Sequence, residues 1–88
     1  MRRELRWSPP AERDLEQIRR HSPQVARRIF HTTTRYAETG HGDVIKLTAQ
    51  AGLYRLRIGD WRVIFSREDS GLVVLALRVL RRNEGTYR

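Results

Sequence analysis

Three arginines, Arg55, Arg57 and Arg62, stand in a pattern that could do chemistry. In Tyr54-Arg55-Leu56-Arg57-Ile58 the apolar residues alternate with the basic ones, and period-2 alternation sends the two arginines to one face of a strand. Gly59-Asp60 then fits a two-residue hairpin turn with glycine first, and Trp61-Arg62-Val63-Ile64-Phe65 returns as a second strand. Three guanidinium groups on adjoining strands repel one another unless an anion or a partner's carboxylate neutralises them. Arginine's planar fork grips phosphate with two hydrogen bonds. The rest of the inventory narrows the chemistry. Cysteine is absent, so there is no thiol nucleophile and no thiolate metal site. His21, His31 and His41 lack the spacing of a helical metal pair, and no nucleophilic serine motif or phosphate-cradling glycine loop is present. Neither a metal nor another cofactor is expected. One reaction suits such a set: cleavage of RNA by its own 2′-OH. The substrate brings the nucleophile. The protein must take a proton, stabilise the extra negative charge at phosphorus and protonate the leaving 5′-oxygen.

The composition agrees with an anionic partner. The chain has 88 residues and a formal net charge of +8, and Lys46 is the only lysine beside seventeen arginines. A GC-rich coding sequence would account for the arginine-to-lysine ratio but not for the net charge. Basic excess of this size points to nucleic acid or an acidic protein. A chain this short is expected to form one domain, residues 1–88, burying roughly 60–65% of its unfolded surface. No apolar run reaches the roughly 18–20 residues of a membrane span, and no signal-peptide core precedes the first strand. A cytoplasmic protein without membrane contact is expected.

The elements that must position the arginines follow from punctuation and period. Arg3 to Trp7 alternates as a short first strand. Ser8-Pro9 starts a helix with Ala11, Leu15 and Ile18 on its apolar stripe, and Arg19, Arg20 and His21 in its last turn. Ser22-Pro23 starts another, which Thr32-Thr33-Thr34 should weaken and Gly40-His41-Gly42 should end. Val44 to Leu47 is expected as a second strand. Leu72 to Leu80 is almost wholly apolar, as in a strand covered on both faces. The order β-α-α-β-β-β-β predicts an α+β fold in which a helical hairpin packs on a mainly antiparallel sheet. After Leu80 a tail, Arg81 to Arg88, can bring Arg81 or Arg82 and Tyr87 over the arginine-bearing face.

The run Tyr54 to Phe65, the apolar strand after it and the basic tail ending in Tyr87-Arg88 resemble the RelE/ParE superfamily of type II toxin–antitoxin toxins. The resemblance covers essentially the whole chain. RelE-type members are mRNA interferases that cut mRNA in the ribosomal A site, so a metal-independent endoribonuclease in contact with ribosomal RNA is implied. Carried over by position, Arg57 and Arg62 would hold the scissile phosphate with Arg55 beside them. Arg82 or Arg81 would assist the leaving group, and Tyr87 would stack on or orient a base. Arg81, Arg88 and Lys46 would add RNA contacts. Where relatives can carry lysine, this chain has Arg55 and Arg57, and arginine cannot serve as a general base. The candidates for that role are Lys46, Tyr87, Asp43 and Glu84. Leu80-Arg81-Arg82 replaces the Gly-His-Arg of many relatives, which removes a histidine acid and implies slower cleavage.

Two other readings compete. A ParE-type toxin poisons DNA gyrase by protein contact without nuclease activity. A non-enzymatic module would bind operator DNA only as a complex with its antitoxin. All three imply a small acidic antitoxin as partner, laid over Arg55, Arg57 and Arg62; the first also implies mRNA and the ribosome.

Overall fold

Ser8-Pro9-Pro10 separates strand from helix, and the computed structural model, which describes residues 2–82, follows that punctuation. β1 (Glu4–Trp7) stops there and α1 (Pro9–His21) begins. Ser8 Oγ accepts a hydrogen bond from the Ala11 N–H at 3.2 Å and donates one to the Leu77 carbonyl at 3.0 Å. It therefore caps the helix and ties its start to the far end of the chain. The second Ser-Pro pair behaves differently. Ser22 is the N-cap of α2 (Pro23–Thr39) by backbone position, but its side chain makes no cap hydrogen bond. Ser8→Ala should cost about 1–2 kcal/mol in urea unfolding. Ser22→Ala should stay within about 0.5 kcal/mol. Equal losses would show that Ser8 contributes no more than its backbone.

The three threonines do not interrupt α2. Thr33 Oγ1 donates to the Ile29 carbonyl at 2.7 Å and Thr34 Oγ1 to the Phe30 carbonyl at 2.8 Å. Each hydroxyl is thus satisfied one turn back, which lets Thr33 sit buried in the core. Gly40 ends the helix in the left-handed region (φ +79°), its N–H bonded to the Tyr36 carbonyl at 2.8 Å.

The remaining strands are β2 (Asp43–Lys46), β3 (Leu53–Ile58), β4 (Trp61–Glu68) and β5 (Val73–Arg81), in a sheet of order β1-β5-β4-β3-β2. β2 starts and ends one residue earlier than its sequence suggests. All neighbours are antiparallel except β1, which lies parallel to β5. The fold is thus α+β, with two helices packed on one face of a mostly antiparallel sheet.

The helix-covered face holds the main core. Ala11 and Ile18 of α1 and Ala26, Ile29, Tyr36 and Ala37 of α2 close over Leu56, Ile58, Val63, Phe65, Val74 and Ala76. Phe65 is fully buried, its ring centroid 5.4 Å from Tyr54 and 5.1 Å from Tyr36. The other face departs from expectation. No helix lies on it among the described residues, and β5 is shielded there only by a small cluster of Leu47, Ile64 and Leu80 with Leu53 beside it. Leu75 and Leu77 remain half-buried. Two helices of this length are enough to cover one face only, so the apolar run of β5 is not sandwiched.

β5 carries a bulge. Ile64 pairs with Arg78 and Phe65 with Ala76, which leaves Leu77 as the extra residue. β1 ends beside it, and α1 takes over the edge of β5. Besides the Ser8–Leu77 bond, Asp14 accepts from the Val79 N–H at 2.9 Å and from Arg78 Nε at 2.7 Å. The bulged edge is thereby satisfied by side chains of one helix.

Two exposed ion pairs titrate at the acid end. A hydrogen bond from Arg6, then its charge, holds the Glu4 carboxyl below the ordinary carboxylate value; a hydrogen bond from Arg19 does the same for Glu16. A depressed folded pKa gives stability that is complete above the unfolded value of 4.5 and is lost as pH falls through the lower folded value. Glu16→Gln should therefore leave the melting temperature at pH 3 closer to wild type than it is at pH 7. An equal difference at both pH values would show that the pair does not contribute.

Candidate functional site

Register decides which side chains share the open face. β3 sends Tyr54, Leu56 and Ile58 toward the helices and Arg55 and Arg57 away from them. Arg57 lies directly opposite Arg62 on β4, and on its other side pairs with Asp43 on β2. Arg55, Arg57, Arg62 and Asp43 therefore come together on three adjacent strands, three guanidinium groups with one carboxylate among them. Directly opposed cations on neighbouring strands destabilise each other. Their backbones are held by the sheet, and Asp43 sets one negative charge against three positive ones.

Arg55 is the most constrained of the three. Its side chain is only 15% exposed, and Nη2 donates to Asp43 Oδ1 at 3.2 Å. Its Nε is buried and has no hydrogen-bond partner among the described residues. A buried donor without an acceptor costs about 1–3 kcal/mol. Arg57 is exposed, with Nε donating weakly to the Gly59 carbonyl at 3.4 Å. The turn itself is as the sequence suggests: Gly59 has a φ of +59° while Asp60 does not take a positive φ.

The two tail arginines that sequence leaves as alternatives separate. Arg81 pairs with Trp61, and its guanidinium carbon lies 5.6 Å from the indole centroid on the helix side. There it lines a cleft of about 510 Å³ with Gln17, His21 and Val25. Arg82 follows the strand, its N–H donating to the Asp60 carbonyl at 2.7 Å, which sets it beside the hairpin turn. Lys46 pairs with Tyr54 and so shares the helix-side parity of β2, away from Arg55 and Arg57. Glu84, Tyr87 and Arg88 lie outside the described residues. Of the proposed bases, Asp43 is the one the described residues bring beside the arginines.

Arg67 opens the run Arg67 to Gly71 that the sequence suggests as a turn, but β4 continues through Glu68 and takes Arg67 into the strand. It shares the parity of Val63 and Phe65, which turns this exposed arginine to the helix side of the sheet. There it lies 4.3 Å from the Tyr54 ring centroid, and its Nη2 and Nε donate to the Tyr36 hydroxyl at 2.5 and 3.2 Å. Period-2 counting along β4 was the available signal. Its role is packing between two tyrosines, not the open face.

A two-helix hairpin on a five-stranded sheet, with the other face left open and basic, is the architecture of RelE/ParE-like toxins. Residues 5–85 match the family model described as ParE toxin of type II toxin-antitoxin system, parDE, and the chain belongs to that family. Solved structures of similar fold come from both branches of the superfamily. The RelE–RelB complex of Pyrococcus horikoshii OT3 is 24% identical with a TM-score of 0.74, over 97% of this chain and 100% of that one. The RelBE2 complex of Mycobacterium tuberculosis is 22% identical with a TM-score of 0.70, over 93% and 100%. The chromosomal ParDE system of P. aeruginosa is 17% identical with a TM-score of 0.73, over 90% and 95%. At these identities the likeness is one of fold. No curated protein matches the chain in sequence.

Proposed function

We propose that the chain is an endoribonuclease toxin that cuts mRNA in the ribosomal A site by attack of the RNA's own 2′-oxygen. The observation that supports this reading is the register that gathers Arg55, Arg57 and Arg62 on one face of adjoining strands, with Asp43 as the one carboxylate beside them among the described residues. A phosphodiester would supply acceptor oxygens to Arg57 and Arg62, the more exposed two of the three. The 2′-oxygen bonds to phosphorus as its proton passes to Asp43, and the bond from phosphorus to the 5′-oxygen breaks, leaving a 2′,3′-cyclic phosphate and a 5′-oxygen that takes its proton from water. The arginines stabilise the charge that accumulates between those events. Arg82 is the tail arginine for the leaving-group side, with Tyr87 assigned to the base as the resemblance implies.

An acidic antitoxin is the partner this face would accept when RNA is absent, and several neighbours of similar fold are toxin–antitoxin complexes. Operator DNA would be bound only through that complex. A cytoplasmic site of action follows from a ribosomal target, and no helix among the described residues is long and apolar enough to cross a membrane.

The family match favours a second reading, a gyrase inhibitor acting by protein contact. Primer extension on a reporter mRNA in a purified translation system separates the two. New 5′ ends at A-site codons support the nuclease. Intact mRNA, with gyrase-dependent DNA breaks in a parallel supercoiling assay, would replace it by the gyrase reading.

A further inference from the structure

Arg28 belongs to α2, an element that contributes nothing to the site above, yet its guanidinium packs against the β3–β4 turn. A Cβ at Gly59 would lie 3.3 Å from Arg28 Nη1 and 3.5 Å from Nη2. Arg57 approaches the same residue from the open face through the Gly59 carbonyl. Arg82 is bonded to the next residue, Asp60, through its backbone N–H. Arg62 stands opposite Arg57. Arginines from α2, β3, β4 and the segment after β5 thus surround a two-residue turn. Among the described residues Arg28 forms no ion pair, and neither does the Asp60 carboxylate. Gly59 makes the approach possible: a side chain there would strain a left-handed backbone and displace the guanidinium.

We infer that Arg28 carries the phosphate-binding surface round the end of the sheet. A single-stranded RNA would cross over Gly59–Asp60, held by Arg57 and Arg62 on the open face and by Arg28 on the helix side. Half-buried Trp61, the residue after the turn, packs against the main core with the Arg81 guanidinium over its ring, and the part of it left open is an aromatic surface for a base on that path. An acidic polypeptide has carboxylates but no bases to use that ring, so RNA is the better fit. The inference rests on the nuclease reading.

The test is fluorescence anisotropy with a labelled, uncleavable 2′-O-methyl oligonucleotide between about 50 and 200 mM salt. Arg28→Gln should weaken binding several-fold and reduce the salt slope by about 0.7, the share of one phosphate on a single strand. Arg28→Lys should restore most of the slope. Arg13→Gln on α1 should leave it unchanged. Binding that falls in Arg62→Ala but not in Arg28→Gln overturns the inference and leaves the nuclease reading standing. Wild-type protein that ignores the oligonucleotide but binds polyglutamate in an Arg28-dependent way overturns it in favour of an acidic protein. Wild-type protein that binds neither overturns it as well. The nuclease reading is decided separately, by the translation assay.

Discussion

Phe65→Ala should lower stability by about 3–5 kcal/mol. The ring is fully buried at the junction of both helices and the sheet, and it touches Tyr36 of α2 and Tyr54 of β3. Truncation removes its transfer energy, leaves a cavity and ends both ring contacts. The bulge beside it limits relaxation, because the register of β4 on β5 is pinned on the other edge by Ser8 and Asp14. A domain of this length has a total stability of roughly 4–13 kcal/mol. The variant should therefore melt about 15–30 °C lower. Phe65→Leu keeps most of the volume and should cost under about 1.5 kcal/mol. A loss under about 1 kcal/mol in Phe65→Ala would mean that the layer between helices and sheet does not depend on this ring.

Arg62→Ala should reduce the rate of mRNA cutting by about 10²–10³-fold, the usual effect of removing one preorganised donor from a developing charge. Arg62 faces Arg57 across the hairpin and has its side chain on the open face, outside the main core. Its loss also removes a like-charge repulsion, so the melting temperature should hold or rise slightly. That combination, slower chemistry without lost stability, is the signature of a residue kept for binding. Arg62→Lys retains the charge but not the planar fork and should recover only part of the rate. Rates equal to wild type in single-turnover primer extension would exclude Arg62 from the reacting centre.

Much of this arrangement is legible in one dimension. The alternation from Tyr54 to Ile58 and the Gly-Asp turn are local facts, so the hairpin and the shared face of Arg55 and Arg57 can be read from spacing alone. The same holds for the Ser-Pro helix starts and the glycine stop at Gly40. The threonine run is a case where propensity misleads: hydroxyls that bond one turn back, with Thr33 packed into the core, cancel its weak preference. Lys46 is a harder case. Which face it takes depends on the register of β2 against β3, and a slip of one residue would reverse it. That register is set across the loop 47–52, where no periodicity operates.

The sequence by itself determined what is periodic or punctuated: element order, the helix-facing stripes, the basic open face and the excess charge that calls for an anionic partner. Its family resemblance also stands. Only the tertiary structure decided that β1 lies parallel to β5, that Asp14 seals a bulged edge 65 residues away, that Arg81 turns to Trp61 while Arg82 stays at the turn, and that Arg28 meets Gly59. The physical reason is common to all four. Backbone geometry repeats over two to four residues and so leaves its trace in sequence. Contacts between distant elements depend on register and crossing, which the whole core sets at once.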